Sequence, residues 1–254
     1  MPRSAAPRFY LDGDLAVDAR VSLPAAVAHH AQRVLRLRDG DAIVLFNGRG
    51  GEYAARIGPG TQASIERYVP VERESPLRIE LIQALIANDK LDWVVEKAVE
   101  LGADSILVAP ATRSVVRLDR DRLARRLEHW RETVVAACCQ CGRNRLPKVS
   151  FAATWDAALS ATNAVQRFLL APNAGTPLAS ATAAATAIAV GPEGGFTTAE
   201  LELARQRGFV AASWGPRVLR TETAGLAALV ALQTLHGDAV DSASWPTSSR
   251  QDQR

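Results

Sequence analysis

The sequence predicts an α/β protein built in two parts, a small, mainly β module followed by a larger domain with a mostly parallel sheet. Three observations predict this. Up to Val69, short apolar runs are split by Asn47-Gly48, Gly50-Gly51 and Pro59-Gly60, the pattern of strands joined by tight turns. From Leu77 onward, strand-length apolar runs alternate with segments of helical period, the pattern of strand–helix–strand units. The composition is that of a folded globular chain: 254 residues, 48% hydrophobic and 22% charged. That length allows one large or two small cores, and that balance excludes general disorder.

Each element follows from local chemistry. Residues 29–36 read as a short helix ahead of a hairpin. Residues 42–46 form an apolar strand, residues 52–57 its alternating return, and residues 63–69 a further strand. The stretch Val71-Glu72-Arg73-Glu74-Ser75-Pro76 is an exit linker. The expected division is therefore a β module over residues 1–75, an α/β domain over 76–240, and a polar tail over 241–254.

Residues 79–87 are an apolar strand, and Asn88 or Asp89 can cap a helix that runs to Leu101. Leu91, Val94, Val95, Ala98 and Val99 fall on one face of that helix, and Gly102 ends it. Residues 105–109 are the next strand. Asp119 opens a long helix with Leu123, Leu127, Trp130 and Val134 inward and Arg122, Arg125, Arg126 and Arg131 outward. Residues 168–170 and 188–190 read as short buried strands. Thr197-Thr198-Ala199-Glu200 is a capping box, and Phe196 with Leu201 has staple spacing. Residues 209–214 are a strand, and Thr221 caps a last apolar helix that stops at Gly237.

Net charge is +3, a mild total that hides an uneven distribution. Residues 110–150 carry ten cations against four anions, so this one segment holds the whole positive excess. Such a patch fits a nucleic-acid footprint or a solvated helix face about equally well. Lysine occurs only at 90, 97 and 148, and the other cations are Arg. Residues 1–10 have no apolar signal core, and no apolar stretch reaches the ~20 residues of a membrane helix. Cys138, Cys139 and Cys141 have no second cluster to complete a four-ligand zinc site and read as small buried side chains. These features describe a cytoplasmic protein without a structural metal.

Two loops stand out. Val190-Gly191-Pro192-Glu193-Gly194-Gly195-Phe196 leaves a buried strand and enters a capped helix. Its glycines let a ligand approach the backbone closely. Residues 214–224 also join a strand to a helix, and they place Arg220 at the positive end of that helix, where a cation is electrostatically unwelcome. Ligands of open α/β sheets sit beyond the carboxyl ends of strands, where both loops begin. No GxGxxG follows a strand, no GxxxxGK[ST] is present, and no Ser, His and Asp group suggests a hydrolase.

Gly191-Pro192-Glu193-Gly194-Gly195 followed by Leu219-Arg220-Thr221-Glu222-Thr223-Ala224 resembles the ribosomal RNA small subunit methyltransferase E family, of the SPOUT class. His30-Ala31-Gln32-Arg33-Val34-Leu35-Arg36, Glu96-Lys97-Ala98-Val99-Glu100-Leu101-Gly102 and Gln140-Cys141-Gly142-Arg143-Asn144-Arg145 with Pro147 are similar to further motifs of that family, in the same order. Cys139 stands where the family usually has Glu. The resemblance implies a PUA-like β-barrel followed by a trefoil-knot α/β domain. It also implies a homodimer, S-adenosylmethionine as methyl donor, and methylation of N3 of one uridine in the decoding region of 16S rRNA on the assembled 30S subunit.

Residue by residue, the resemblance implies a cofactor site of Leu170, Val190, Gly191, Glu193, Gly194, Gly195, Trp214, Gly215, Val218, Leu219, Arg220 and Thr223. Removal of the N3 proton would fall to Glu222 or Glu193, and Arg220 would stabilise the uracil anion. RNA would be held by Arg33, Arg36, Arg113, Arg117, Arg143 and Arg145, with the last two beside the active site. Arg122, Arg125 and Arg126 read as plain surface. Two rivals remain at this level, a knotted enzyme that methylates a ribose hydroxyl and a non-catalytic RNA-binding protein.

Overall fold

A computed structural model describes residues 6–239 except 173 and 183, so the tail expected over 241–254 lies outside the described residues. The chain forms two compact units. Of the described residues, one holds those up to Glu74 together with Cys138–Leu146; the other holds Ser75–Ala137 and those from Pro147 onward.

The N-terminal unit is a five-stranded sheet. Its strands are β1 (Arg8–Tyr10), β2 (Arg20–Ser22), β3 (Ala42–Phe46), β4 (Glu52–Ile57) and β5 (Gln62–Val69), in the order β1-β3-β4-β5-β2. β1 runs parallel to β3 and the other pairs are antiparallel. β1 and β2 remain as edges, so the sheet is an open half-barrel. Alternate apolar residues turn inward, and Phe9, Ile43, Leu45, Ile57 and Ile65 close a core with Ala28 and Ala31. The expected single helix over 29–36 is a short α1 (Ala25–His29) that widens into a π-helical turn, His30–Val34. Arg36 follows with φ +56°, a left-handed conformation rare outside glycine.

The sequence division assigned residues 138–146 to the second domain, but they pack with the first unit. The reason is a polar network. Arg8 pairs with Glu52, donates from Nη2 to Asn144 Oδ1 at 2.6 Å and stacks over Phe46. Asn144 Nδ2 donates to the Val71 carbonyl at 2.8 Å. Arg73 reaches both Glu52 and the Gly142 carbonyl. A buried Asn must find such partners, and they lie in the chain up to Glu74.

The second unit is a seven-stranded sheet in which every pair is parallel. Its strands are β6 (Ile79–Ala84), β7 (Ser105–Ala109), β8 (Lys148–Phe151), β9 (Gln166–Leu170), β10 (Thr176–Pro177), β11 (Thr186–Val190) and β12 (Val210–Ser213), in the order β10-β12-β9-β11-β6-β7-β8. The helices are α2 (Asn88–Glu100), α3 (Arg120–Cys141), α4 (Trp155–Ala161), α5 (Thr198–Gln206) and α6 (Thr221–His236). Central strands covered on both faces read as continuous apolar runs, and all of β11 is buried. Ile82, Ala84, Leu169 and Ala189 face α4 and α5 through Trp155, Leu159 and Ala204. Leu81 and Val190 point the other way, against α6 at Gly225. The short elements β8, α4 and β10 escaped the sequence reading.

The helix starts differ instructively from expectation. Thr197 forms the full capping box with Glu200. The carboxylate of Asp119 accepts from the Arg122 amide, as an opening cap should. α2 has no side-chain cap, and α6 is capped by the Arg220 backbone because the Thr221 hydroxyl is engaged elsewhere. Phe196 packs its ring on Trp155 at 5.1 Å. Arg126 is not plain surface: it pairs with Asp92 and lies over the Trp130 ring. Among the described residues, no helix is long and apolar enough to cross a membrane, and no group of three or more His, Cys, Asp or Glu is placed to hold a metal.

Candidate active site

Parallel pairing brings the carboxyl ends of the central strands to one edge of the second unit. Val190 aligns with Gln83 on one side and Leu170 on the other, and Leu170 aligns with Ala212. Just beyond that row lies a cavity of about 630 Å³, of the size expected for a small-molecule site. Its walls come from both loops singled out in the sequence. Of the residues expected to hold the cofactor, Leu170, Val190, Gly191, Glu193, Gly195, Trp214, Gly215, Val218, Leu219 and Arg220 line it. Gly194 and Thr223 do not.

The glycine loop needs its glycines for two different reasons. A Cβ on Gly191 would meet the Phe196 ring at 3.0 Å, so a side chain there would displace the ring from the cavity wall. Gly195 has φ +67° and closes a turn by donating from its amide to the Pro192 carbonyl at 2.9 Å. Arg113 supports this loop from the segment after β7, donating from Nη1 to the Gly194 carbonyl at 2.8 Å. Glu200 ties the same two segments together, accepting from the amides of Thr112 and Thr197, both at 2.8 Å. Burial works to raise the Glu200 carboxyl, but these amide bonds outweigh it and hold it below the usual glutamate range.

The second loop is anchored from beneath. Thr221 donates its hydroxyl proton to the Gly191 carbonyl at 2.5 Å, and Gln83, fully buried, donates from Nε2 to Thr221 Oγ1 at 3.0 Å. This chain of bonds joins the start of α6 to the glycine loop. It fixes the neighbouring Arg220 and Glu222, both of which line the cavity. Arg220 is exposed and has no ion pair among the described residues. Trp214 and Val218 present half-exposed apolar surface at the mouth.

Three charges meet at the rim. Lys90 Nζ lies 3.5 Å from Glu193 Oε1 and 3.7 Å from Glu222 Oε1. Glu222 is the more buried carboxylate, and its Oε2 is sequestered without a hydrogen-bond partner. An unpartnered buried carboxylate oxygen is costly and awaits a donor. Sequence reasoning missed Lys90, Gln83 and Ser213. A signal for Lys90 was present: it is one of three lysines in an Arg-rich chain, and it follows directly on an expected strand end.

The arginines expected to hold RNA separate into groups. Arg33 and Arg36 are exposed on the N-terminal unit, beside exposed Val34 and Leu35. Arg113 braces the glycine loop, and Arg117 donates to the Ser114 carbonyl at 2.7 Å. Arg143 and Arg145 are not among the residues that line the cavity; both pack in the N-terminal unit. Arg143 is 6% exposed and pairs with Glu74 at 2.5 Å, so its guanidinium is committed to holding the segment in place. Arg145 is half-exposed and pairs with Glu72 at 3.0 Å. Of the cysteines in the same segment, Cys138 is buried, which pushes its thiol up to about 12.

Comparison with known proteins agrees with this arrangement. Residues 73–233 match the model of an RNA methyltransferase domain, and residues 23–61 that of an RNA methyltransferase PUA domain. The chain is 34% identical to the ribosomal RNA small subunit methyltransferase E of Mycobacterium bovis, over 81% of this chain and 83% of that one. It is 29% identical to the enzyme of the same name from Bacillus subtilis, over 85% and 92%. The crystal structure of the Neisseria gonorrhoeae enzyme bound to S-adenosylmethionine superposes with a TM-score of 0.85 at 37% identity, covering 92% of this chain and 99% of that chain. A methyltransferase from Legionella pneumophila, also in complex with S-adenosylmethionine, superposes with a TM-score of 0.86 at 33% identity, covering 92% and 100%.

Proposed function

The chain belongs to the ribosomal RNA small subunit methyltransferase E family, whose members use S-adenosylmethionine, and on that premise we propose that it methylates N3 of one uridine in the decoding region of 16S rRNA, within the assembled 30S subunit. The observation that carries this reading is a cavity beyond the strand ends whose lining brings Glu222, Glu193 and Arg220 together. A uridine N3 carries a proton, and the reaction needs an acceptor for it beside a cation for the charge left behind.

The cavity fits the cofactor. Its volume suits an adenosyl-sized ligand, Leu170, Val190, Trp214, Val218 and Leu219 supply apolar walls, and Gly191 leaves room for the Phe196 ring in the wall. When bound, S-adenosylmethionine supplies the electrophilic methyl group. The protein's own part is positioning and proton handling. Glu222 accepts the N3 proton, and Glu193, more exposed, serves the rim. Arg220 stabilises the charge spread over the uracil carbonyl oxygens. The target base must leave its stack to reach this depth. Arg33 and Arg36 contact rRNA from the N-terminal unit. The same reading includes a trefoil-knot threading of the two cavity loops, a homodimer, and residence in the cytoplasm with the ribosome.

The test uses 30S subunits and free 16S rRNA from a strain lacking the gene, incubated with the purified protein and labelled S-adenosylmethionine. Digestion to nucleosides should give labelled N3-methyluridine from the 30S subunits alone. Label on a ribose, or none, overturns the reading.

A further inference from the structure

We infer that Lys90 is a positioning residue, which holds Glu193 and Glu222 together as one assembly at the rim of the cavity. The inference rests on the uridine-N3 reading above and adds to it the group that makes two neighbouring carboxylates usable. Lys90 stands in the first turn of α2, just past the carboxyl end of β6. Its ammonium reaches Oε1 of both Glu193 and Glu222. Glu193 comes from the loop after β11 and Glu222 from the first turn of α6, so one cation ties together three segments that are distant in sequence.

Lys90 engages Oε1 of Glu222, and Oε2 is left buried and unpartnered. A carboxylate free to rotate would exchange the two; the ammonium removes that freedom. The charge count leads the same way. Lys90 sets one cation between the two carboxylates and offsets their mutual repulsion. With Lys90 the trio carries one net negative charge. After Glu222 takes the N3 proton, the trio is neutral beside the new anion on the uracil, and the freed ammonium can turn toward that anion. The N3 lone pair then forms the bond to the methyl carbon, and the S–CH₃ bond breaks with its electron pair going to sulfur.

Other charged groups that line the cavity or brace its loops are Arg217 and Arg220 before α6, Arg113 after β7, bound to the Gly194 carbonyl, and Glu200 on α5, engaged by the Thr112 and Thr197 amides. On α2 itself, Asp89 is exposed, and Asp92 is engaged by Arg126 and His129. None of these is paired to Glu193 or Glu222, so Lys90 alone fills the role among the described residues.

Two measurements test this. The first needs no cofactor or RNA: carboxyl-carbon NMR titration of the protein with labelled glutamate. In Lys90→Met, one of the Glu193 and Glu222 carboxyls should titrate at least one pH unit higher than in the unaltered protein, and Lys90→Arg should restore most of the difference. Unchanged titration in Lys90→Met overturns the inference whatever the reaction is. The second is the pH profile of kcat on 30S subunits. Its acid limb should move to higher pH in Lys90→Met, kcat at neutral pH should fall 10- to 100-fold, and the affinity for S-adenosylmethionine should change less than threefold. A kcat loss with an unmoved limb, tracking a lower melting temperature, would mean that Lys90 only holds the fold. Absence of N3-methyluridine from the unaltered protein would overturn the uridine reading and leave the titration result standing.

Discussion

The two units use the same charged groups to opposite ends. In the N-terminal unit, Arg8, Arg73, Glu52, Asn144, Arg143 and Glu74 form a network in which nearly every donor meets an acceptor, and Arg8 Nε is the one orphan among its described side-chain atoms. At the cavity, Lys90 serves two carboxylates at long range, Arg220 has no ion pair, and Glu222 keeps a buried oxygen idle. Saturation makes the first network a clasp. Incomplete satisfaction leaves the second with charges that a ligand in the cavity could pair.

Perturbing each network should therefore give opposite signatures, and the largest effect belongs to the clasp. Arg143→Ala strands Glu74 in a largely buried position and should cost about 3–5 kcal/mol of stability. Urea unfolding would measure it, with S-adenosylmethionine affinity unchanged in the folded fraction. A loss below about 1 kcal/mol, the level of a surface pair, would erase the contrast.

Next comes the site. Arg220→Ala should lower turnover about 100-fold, as for loss of one preorganised charge-stabilising group, with the unfolding midpoint unmoved. Full turnover would remove Arg220 from the mechanism. Thr221→Val lies between the two regimes. It leaves the Gly191 carbonyl without its hydroxyl donor and Gln83 Nε2 with only the weaker Ala84 contact at 3.2 Å. It should cost about 1–3 kcal/mol and weaken S-adenosylmethionine binding as well, since it loosens the cavity wall. Calorimetry on a folded Thr221→Val protein with intact affinity would show that the two loops hold their places independently.

The smallest effect is one of pH. Burial raises the Glu52 carboxyl, but hydrogen bonds from Arg73 and Arg8 outweigh it and leave the group below its ordinary value. A carboxylate lowered on folding contributes stability that is complete above the unfolded value and is lost as pH falls through the folded one. Urea midpoints should thus decline between about pH 5 and pH 2, and Glu52→Gln should show a shallower decline. Equal slopes would mean that the clasp draws nothing from the charge of Glu52.

Much of this was legible in the residues. The capping box at Thr197 is local, since both of its bonds are made within four consecutive residues. The parallel sheet showed in the unbroken apolar run of β11, because burial on both faces leaves no polar position to betray alternation. The two cavity loops showed in their glycines and in an Arg at a helix start. Other positions misled. Thr221 has the residue type of a cap, yet its hydroxyl bonds across to Gly191. Arg143 looked like an RNA contact because it follows a helix end in a basic segment, and only its burial against Glu74 reveals the clasp.

By itself, then, the sequence determined most of the elements, the two-part architecture and the loops that line the cavity, since these depend on periodicity, turn residues and caps acting over a few residues. Only the tertiary structure decided which charges work and which merely hold. That choice depends on pairs far apart in the chain: Lys90 with Glu193 and Glu222, Arg8 with Asn144, Arg143 with Glu74. An ionisable side chain carries no mark of its partner. Its role is set by the distance and burial of the group it meets, and folding alone supplies both.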